Sequence, residues 1–340
     1  MNTTIRKTTI LTIFILISVA LLIPSVTAAG GSGTIGDPYQ IQTPAELQAM
    51  QTDLDAYYAL QNDIDLSGVT WIPVGTTSTL FIGGLNGNNY TISGLTISRP
   101  TTDYQALFGI LGPGAVISNI NMANCDISGR GSVGALFGRV IMALGTNTTC
   151  VITNIDITNT KITGVTDYVG GLGGLSITYA NLEVRYCDME NNTVSAGGNN
   201  CGGLMGNGAA TNSQATIEYC TIANCSVTSG GYACGGLMGY GAYTNSQATA
   251  TDCTVENCVV ISGGNACGGL MGYGAYPNSQ ATATGCTVIS NTLVSTTGYT
   301  GGAFGRIYTG CAGYVDGCIF QDNTIIALSG ISAGVIAAWS

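Results

Sequence analysis

The sequence predicts an all-β protein: a right-handed parallel β-helix, or solenoid, of about seven to eight coils behind a short N-terminal capping helix. Three observations carry this expectation. Cys201-Gly-Gly-Leu-Met-Gly returns at Cys234 and at Cys267, 33 residues apart each time. Between these marks Thr-Asn-Ser-Gln-Ala-Thr begins at Thr211 and Thr244, and Pro277 replaces only the threonine in the third copy. The stretches that follow are β-branched and lack helical periodicity, as in Thr216-Ile-Glu-Tyr-Cys-Thr-Ile222 and Cys225-Ser-Val-Thr-Ser229. A fixed period of this size marks a unit that cannot bury its own apolar face and must stack on its neighbours. The β-branched content makes those units strands, about three short ones per coil.

Residues 1–29 read as a secretory signal peptide. Arg6 and Lys7 precede an apolar run from Ile10 to Ile23, and Pro24 and the small residues Val26 to Ala29 follow. The run is too short for a spanning helix. Residues 30–104 read as an N-terminal cap and entry strands. Thr43-Pro44-Ala45-Glu46 holds a capping residue, a proline at the first helical position and a glutamate that closes a capping box. Leu47, Met50 and Leu54 then share one helical face, suited to covering the open end of a coil stack. Strand-like pieces lie around Trp71 to Val74 and Tyr90 to Ile97, with a turn signal at Asn86-Gly87.

Residues 105–340 read as the solenoid itself, strictly periodic over 202–300. A small-residue motif marks the coils: Ala106-Leu-Phe-Gly109, Ala135-Leu-Phe-Gly138, Gly170-Gly-Leu-Gly173, the three Gly-Gly-Leu-Met-Gly copies, and Gly301-Gly-Ala-Phe-Gly305. The 51 glycines keep no collagen register and cluster where a coil must turn. The C-terminal run offers no second apolar span, so no integral membrane anchor is expected.

Composition narrows the function. Without Arg6 and Lys7 the 8 basic residues become 6, and 6 − 18 gives a net charge of −12. Nucleic acid and anionic membrane are poor partners for such a chain. Histidine is absent, which removes the commonest general base and metal ligand. Charged residues are 8% of the chain, against about 25% in ordinary domains. That balance suits a protein that covers much of its surface with copies of itself.

Gly31-Ser-Gly-Thr34, Asp37-Pro-Tyr39, Asp63-Ile-Asp-Leu66, Trp71-Ile-Pro-Val-Gly75, Leu85-Asn-Gly-Asn88, Tyr90-Thr-Ile92 and Ala106-Leu-Phe-Gly109 resemble the opening module of GLUG-repeat surface proteins. The Gly-Gly-Leu motifs with a following Asn-Cys resemble the GLUG repeat itself, although that repeat is usually shorter and poorer in cysteine. The likeness covers nearly the whole chain after the leader. It implies a secreted β-solenoid of the kind met in methanogenic archaea. Brevity and cysteine content further resemble the methanogen cell-sheath proteins, which stack into amyloid-like hoops.

Thirteen cysteines in an exported chain invite a disulfide reading. Cys201, Cys234 and Cys267 precede the double glycine, where Val133 and Val169 stand in other coils. Cys187, Cys220, Cys253, Cys286 and Cys318 share a second repeat position, expected to form a buried ladder. Cys125, Cys225 and Cys258 share a third. Cys225 with Cys234, and Cys258 with Cys267, flank a corner and are disulfide candidates. Cys150 and Cys311 stand apart and are candidates for intermolecular bonds. Zinc is disfavoured because no Cys-x-x-Cys pair is present, and no metal or other cofactor is expected.

Tyr240, Tyr243, Tyr273 and Tyr276 lie in Tyr-Gly-Ala-Tyr loops and should stack along one edge, as a subunit contact or a glycan platform. Asp63 and Asp65 are the best carboxylate pair, read as turn residues or a Ca²⁺ site rather than a catalytic pair. The acids do not recur with the repeat, so no enzyme is expected. Sequons at Asn89, Asn147, Asn191 and Asn224 permit glycosylation. The sequence thus points to a self-associating structural subunit of an extracellular sheath or surface layer, extended by in-register β stacking and held by disulfides. The other class it allows is a monomeric adhesin or glycan-binding surface module.

Overall fold

Residues one repeat apart stand directly above one another. Gln214 pairs with Gln247 and Gln247 with Gln280, as do Thr216, Thr249 and Thr282. The computed structural model describes residues 30–142, 148–176, 179–329, 333–334 and 337–339; the signal peptide expected at 1–29 and the sequon at Asn147 lie outside these. The described chain is all-β, a parallel solenoid of about seven turns with one short helix near its N-terminus.

One coil shows the plan. Strands span Ala233–Gly235, Met238–Ala242, Gln247–Thr251, Thr254–Glu256 and Val259–Ser262. Repeated coil on coil, they build four sheets: a short face of 6 strands, a cleft face of 8, a broad face of 16 and a side face of 8. The expected three strands per coil are therefore five on four faces. The broad face is broken in two by Asp252, whose φ of 51° bends the chain between Thr251 and Thr254.

Alternation sets the core. Along Gln247–Thr251 only Ala248 and Ala250 are buried, while the threonines face out. Leu237, Met238, Val255 and Val260 complete the interior of that turn at 0% exposure. Each such aliphatic side chain contributes about 1.5–3 kcal/mol on burial.

Two columns of corners share one pattern. A residue in the left-handed region is followed by a cysteine, serine, threonine or asparagine. Asn212, Asn245 and Asn278 (φ 54°, 57°, 61°) precede Ser213, Ser246 and Ser279. Asn159, Asn191, Asn224 and Asn257 (φ 51° to 56°) precede Thr160, Asn192, Cys225 and Cys258. Asparagine tolerates this conformation better than most residues. The side chain that follows accepts an N–H from the preceding coil: Ala180 N donates to Ser213 Oγ at 3.1 Å, and Ser213 N to Ser246 Oγ at 3.1 Å. The bend thus satisfies the backbone group it would otherwise strand.

Some glycines turn the chain as expected, Gly285 and Gly317 at corners among them, but those of the Gly-Gly-Leu motifs do not. None of the Gly-Gly-Leu glycines has positive φ. They are needed for close approach: a Cβ on Gly236 would stand 2.2 Å from the carbonyl oxygen of Gly269 in the next coil.

The cap forms over Pro44–Ala49, followed by a 3-10 turn at Met50–Thr52. Thr43 and Glu46 close the capping box, with Thr43 N donating to Glu46 Oε2 at 2.9 Å. Leu47 and Met50 are fully buried in the common core, and Leu54 packs against it. Gln48 ties the helix to the loop at Ile72 through both its amide atoms, at 2.8 and 2.9 Å. The entry segment is itself part of the stack: Tyr39–Ile41, Tyr57–Leu60 and Gly84–Asn86 pair successively in parallel and join the broad face at Val116. The turn at Asn86-Gly87 therefore bends a single rung, both parts of which pair with Val116–Ala123, rather than closing a hairpin.

Candidate functional site

All thirteen cysteines are free thiols in the structure, and eleven are buried. They stand in columns along the axis. In the first, Val133 pairs with Val169, Val169 with Cys201, and then Cys201, Cys234, Cys267 and Thr300 follow in register. These side chains fill an aliphatic slot on the short face. Burial pushes the Cys267 thiol up to about 12. In the second, Cys187 pairs with Ile155, and Cys286 N donates to Cys318 Sγ at 3.3 Å. Cys220, Cys253 and Cys286 are buried, and Cys318 is partly exposed.

The third column is a corner ladder in which both oxygen and sulfur serve as acceptors. Cys125 N donates to Thr160 Oγ1 (3.2 Å), Thr160 N to Asn192 Oδ1 (2.8 Å), Asn192 N to Cys225 Sγ (3.4 Å), Cys225 N to Cys258 Sγ (3.3 Å) and Cys258 N to Asn291 Oδ1 (2.8 Å). Cysteine and asparagine are thus interchangeable solutions to one bonding problem. The expected bridging partners occupy different columns: Cys225 contacts the carbonyls of Met189 and Ala223, while Cys234 contacts that of Val227. Cys225–Cys234 and Cys258–Cys267 are not bonded in this arrangement.

Cys150 requires a correction. It is fully buried, paired in register with Leu182, and burial pushes its thiol up to about 12. A second chain cannot reach it. Cys311 is partly exposed and remains accessible.

The tyrosines do gather, in two layers. Tyr240 and Tyr273 stack at 4.9 Å and lie buried on the cleft face. Tyr243 and Tyr276 stack outside them at 4.8 Å, nearly parallel, with Tyr243 38% exposed. The inner pair therefore acts as a foundation and only the outer pair can meet a partner. Sequence reasoning missed Tyr308, which extends both layers, with Arg306 4.3 Å above its ring. It also missed a second exposed stack, Tyr186 on Tyr219 at 5.1 Å and 7°. Both sit in the left-handed corner position that asparagine or glycine fills elsewhere, and that periodicity was the available signal.

Asp63 and Asp65 are turn residues. Asp63 accepts from Thr91 N at 2.8 Å, and Asp65 accepts from Ser67 N at 2.9 Å; the bonds to Ser67 hold the Asp65 carboxyl below its ordinary value. Asn191 and Asn224 are exposed corner residues, so their amides are accessible.

No family model matches the chain. The chain is 37% identical over 121 residues to a protein of Evansella cellulosilytica described as a Gly-rich membrane protein, covering 32% of this chain and 14% of that one. It is 34% identical over 121 residues to halomucin of Haloquadratum walsbyi, covering 32% of this chain and 1% of halomucin. The matches thus span small parts of those proteins. Among solved structures, a protein of Bacteroides ovatus described as an immunoglobulin A1 protease aligns over 91% of this chain and 86% of its own, with a TM-score of 0.57 and 19% identity. That likeness is one of fold. No helix among the described residues is long and apolar enough to cross a membrane.

Proposed function

We propose that this protein is an extracellular surface module whose work is structural, a self-associating subunit of a cell sheath or surface layer. The relatives described as a membrane protein and as halomucin support a surface location. The resemblance to GLUG-repeat and methanogen sheath proteins makes the finer form of the reading. One observation carries the assembly step. The coil over 312–327 repeats the register of those before it, yet its strands have a partner on one side only among the described residues. Val315, Phe320 and Ile325 are partly exposed there, whereas the residues they pair with, Ala283, Val288 and Leu293, are at 0%. Unpaired parallel strands over partly exposed apolar side chains template a further strand layer.

The occupant in this reading is a second copy, extending the stack in register. In this reading the outer rings Tyr243 and Tyr276 supply a lateral contact, and Cys311 supplies the thiol that makes it covalent. The protein without residues 1–29 should sediment as a concentration-dependent polymer and show extended assemblies by electron microscopy. Replacing Tyr243 and Tyr276 with serine should weaken assembly without loss of β signal. A monodisperse monomer at all concentrations, with affinity for surface glycans, would move the protein to the adhesin class.

A further inference from the structure

A second feature lies on the same face as the tyrosine layers, in the column that runs in register from Arg139 through Leu175 and Asn207 to Tyr240. Three stacked turns, at Asp103–Tyr104, Arg130–Ser132 and Thr166–Tyr168, wall a cleft of about 440 Å³ whose floor is Arg139 and Leu175. That volume lies in the range of small-ligand sites, roughly 300–1,000 Å³. From its composition and geometry we propose that it binds an acidic saccharide, seating one uronic-acid residue with its carboxylate on Arg139.

Charge is the first ground. Outside residues 1–29 the chain has six basic residues, and Arg130 and Arg139 both line this cleft. Arg130 is already neutralised: its Nε donates to Asp103 Oδ1 at 2.7 Å, and this contact holds the Asp103 carboxyl below its ordinary value. Arg139 forms no ion pair among the described residues. One Nη donates to Tyr104 Oη at 2.7 Å, the guanidinium lies 5.3 Å from that ring, and its Nε has no acceptor. A partly buried guanidinium held by a neutral hydroxyl is a ready partner for one carboxylate.

Backbone strain is the second. Tyr104 and Tyr168 sit at φ of 60° and 66°. A bulky residue there costs about 1–3 kcal/mol. Asn200, stacked beside Tyr168 with φ of 61°, shows that asparagine makes the same turn. Aromatic rings are thus kept at two places where the backbone favours asparagine, both on the cleft wall, and rings stack on the apolar faces of sugars. The third ground is the mixture of polar groups. Asp103, Asp167, Ser132 and Thr166 supply acceptors and hydroxyls suited to sugar hydroxyls, which a peptide carboxylate lacks.

The test titrates the protein with trigalacturonate, neutral galactotriose and a tri-aspartate peptide by calorimetry. Trigalacturonate should bind and galactotriose should bind at least about tenfold more weakly. Arg139→Gln should weaken trigalacturonate at least about tenfold with native circular dichroism. Should that variant misfold, Tyr168→Asn keeps the turn chemistry and should lose affinity too. No trigalacturonate binding at about 10 mM, equal binding of the neutral sugar or the peptide, or unchanged affinity in the folded variants would overturn the proposal.

Discussion

Cys258 separates two accounts of why this solenoid carries cysteine at its corners. If the thiol is a ladder acceptor, what matters is an atom able to receive the Cys225 N–H, now 3.3 Å from Cys258 Sγ. Cys258→Ala strands that N–H at a corner where Cys258 itself is 1% exposed. An unsatisfied buried donor costs about 1–3 kcal/mol, and the small void adds about 1 kcal/mol. The expected loss is thus about 2–4 kcal/mol. Cys258→Asn supplies what Asn192 and Asn291 already supply in the same column, an oxygen for the preceding N–H and an amide for a neighbouring carbonyl. Asn291 makes these bonds at 2.8 Å to Cys258 N and 2.8 Å to Val255 O. The Ile222 carbonyl, 3.4 Å from Cys258 Sγ, is placed to receive the new amide. That variant should lie within about 0.5 kcal/mol of the parent or above it. A disulfide to Cys267 predicts otherwise: both variants lose the same bond, about 2–5 kcal/mol. Urea unfolding followed by circular dichroism, with and without reductant, decides between them. Equal destabilisation of the two variants, or a parent midpoint that falls on adding reductant, refutes the ladder.

The other expectations are simpler to read. Alkylation of the folded protein at pH 8 should label Cys311 and Cys318 and spare Cys150 and Cys267, whose thiols are pushed to about 12 by burial; rapid labelling of Cys267 by mass spectrometry sinks this. Asp103 is held below its ordinary value of 3.8 by Arg130, so its contribution is complete above that pH and is lost as pH falls through the lower folded value. Asp103→Asn should therefore flatten the acid limb of a stability–pH curve, and an unchanged limb counts against the pair. Gly236→Val should prevent native stacking, because a Cβ meets Gly269 O at 2.2 Å and Val255 Cγ1 at 2.6 Å; a well-folded variant by amide exchange rules out the close-approach argument.

Sequence alone determined that this protein is a stack. The 33-residue period fixes which residues lie one coil apart, and the β-branched alternation fixes which of them face in, as Ala248 and Ala250 do. The capping box at Thr43 and Glu46 was also legible, because its bonds lie within three residues. The tertiary structure decided what the columns do. A corner side chain bonds to a backbone group about 33 residues away, so nothing local distinguishes a bridging cysteine from an accepting one until Asn192 and Asn291 are found in the same ladder. Burial split the four tyrosines into an inner and an outer pair because a ring's exposure depends on what the next coil lays over it. The cleft at Arg139 lies outside the strict repeat and gathers turns near 104, 131 and 167. Its members come together only because the coils stack, and each turn read singly is an ordinary bend.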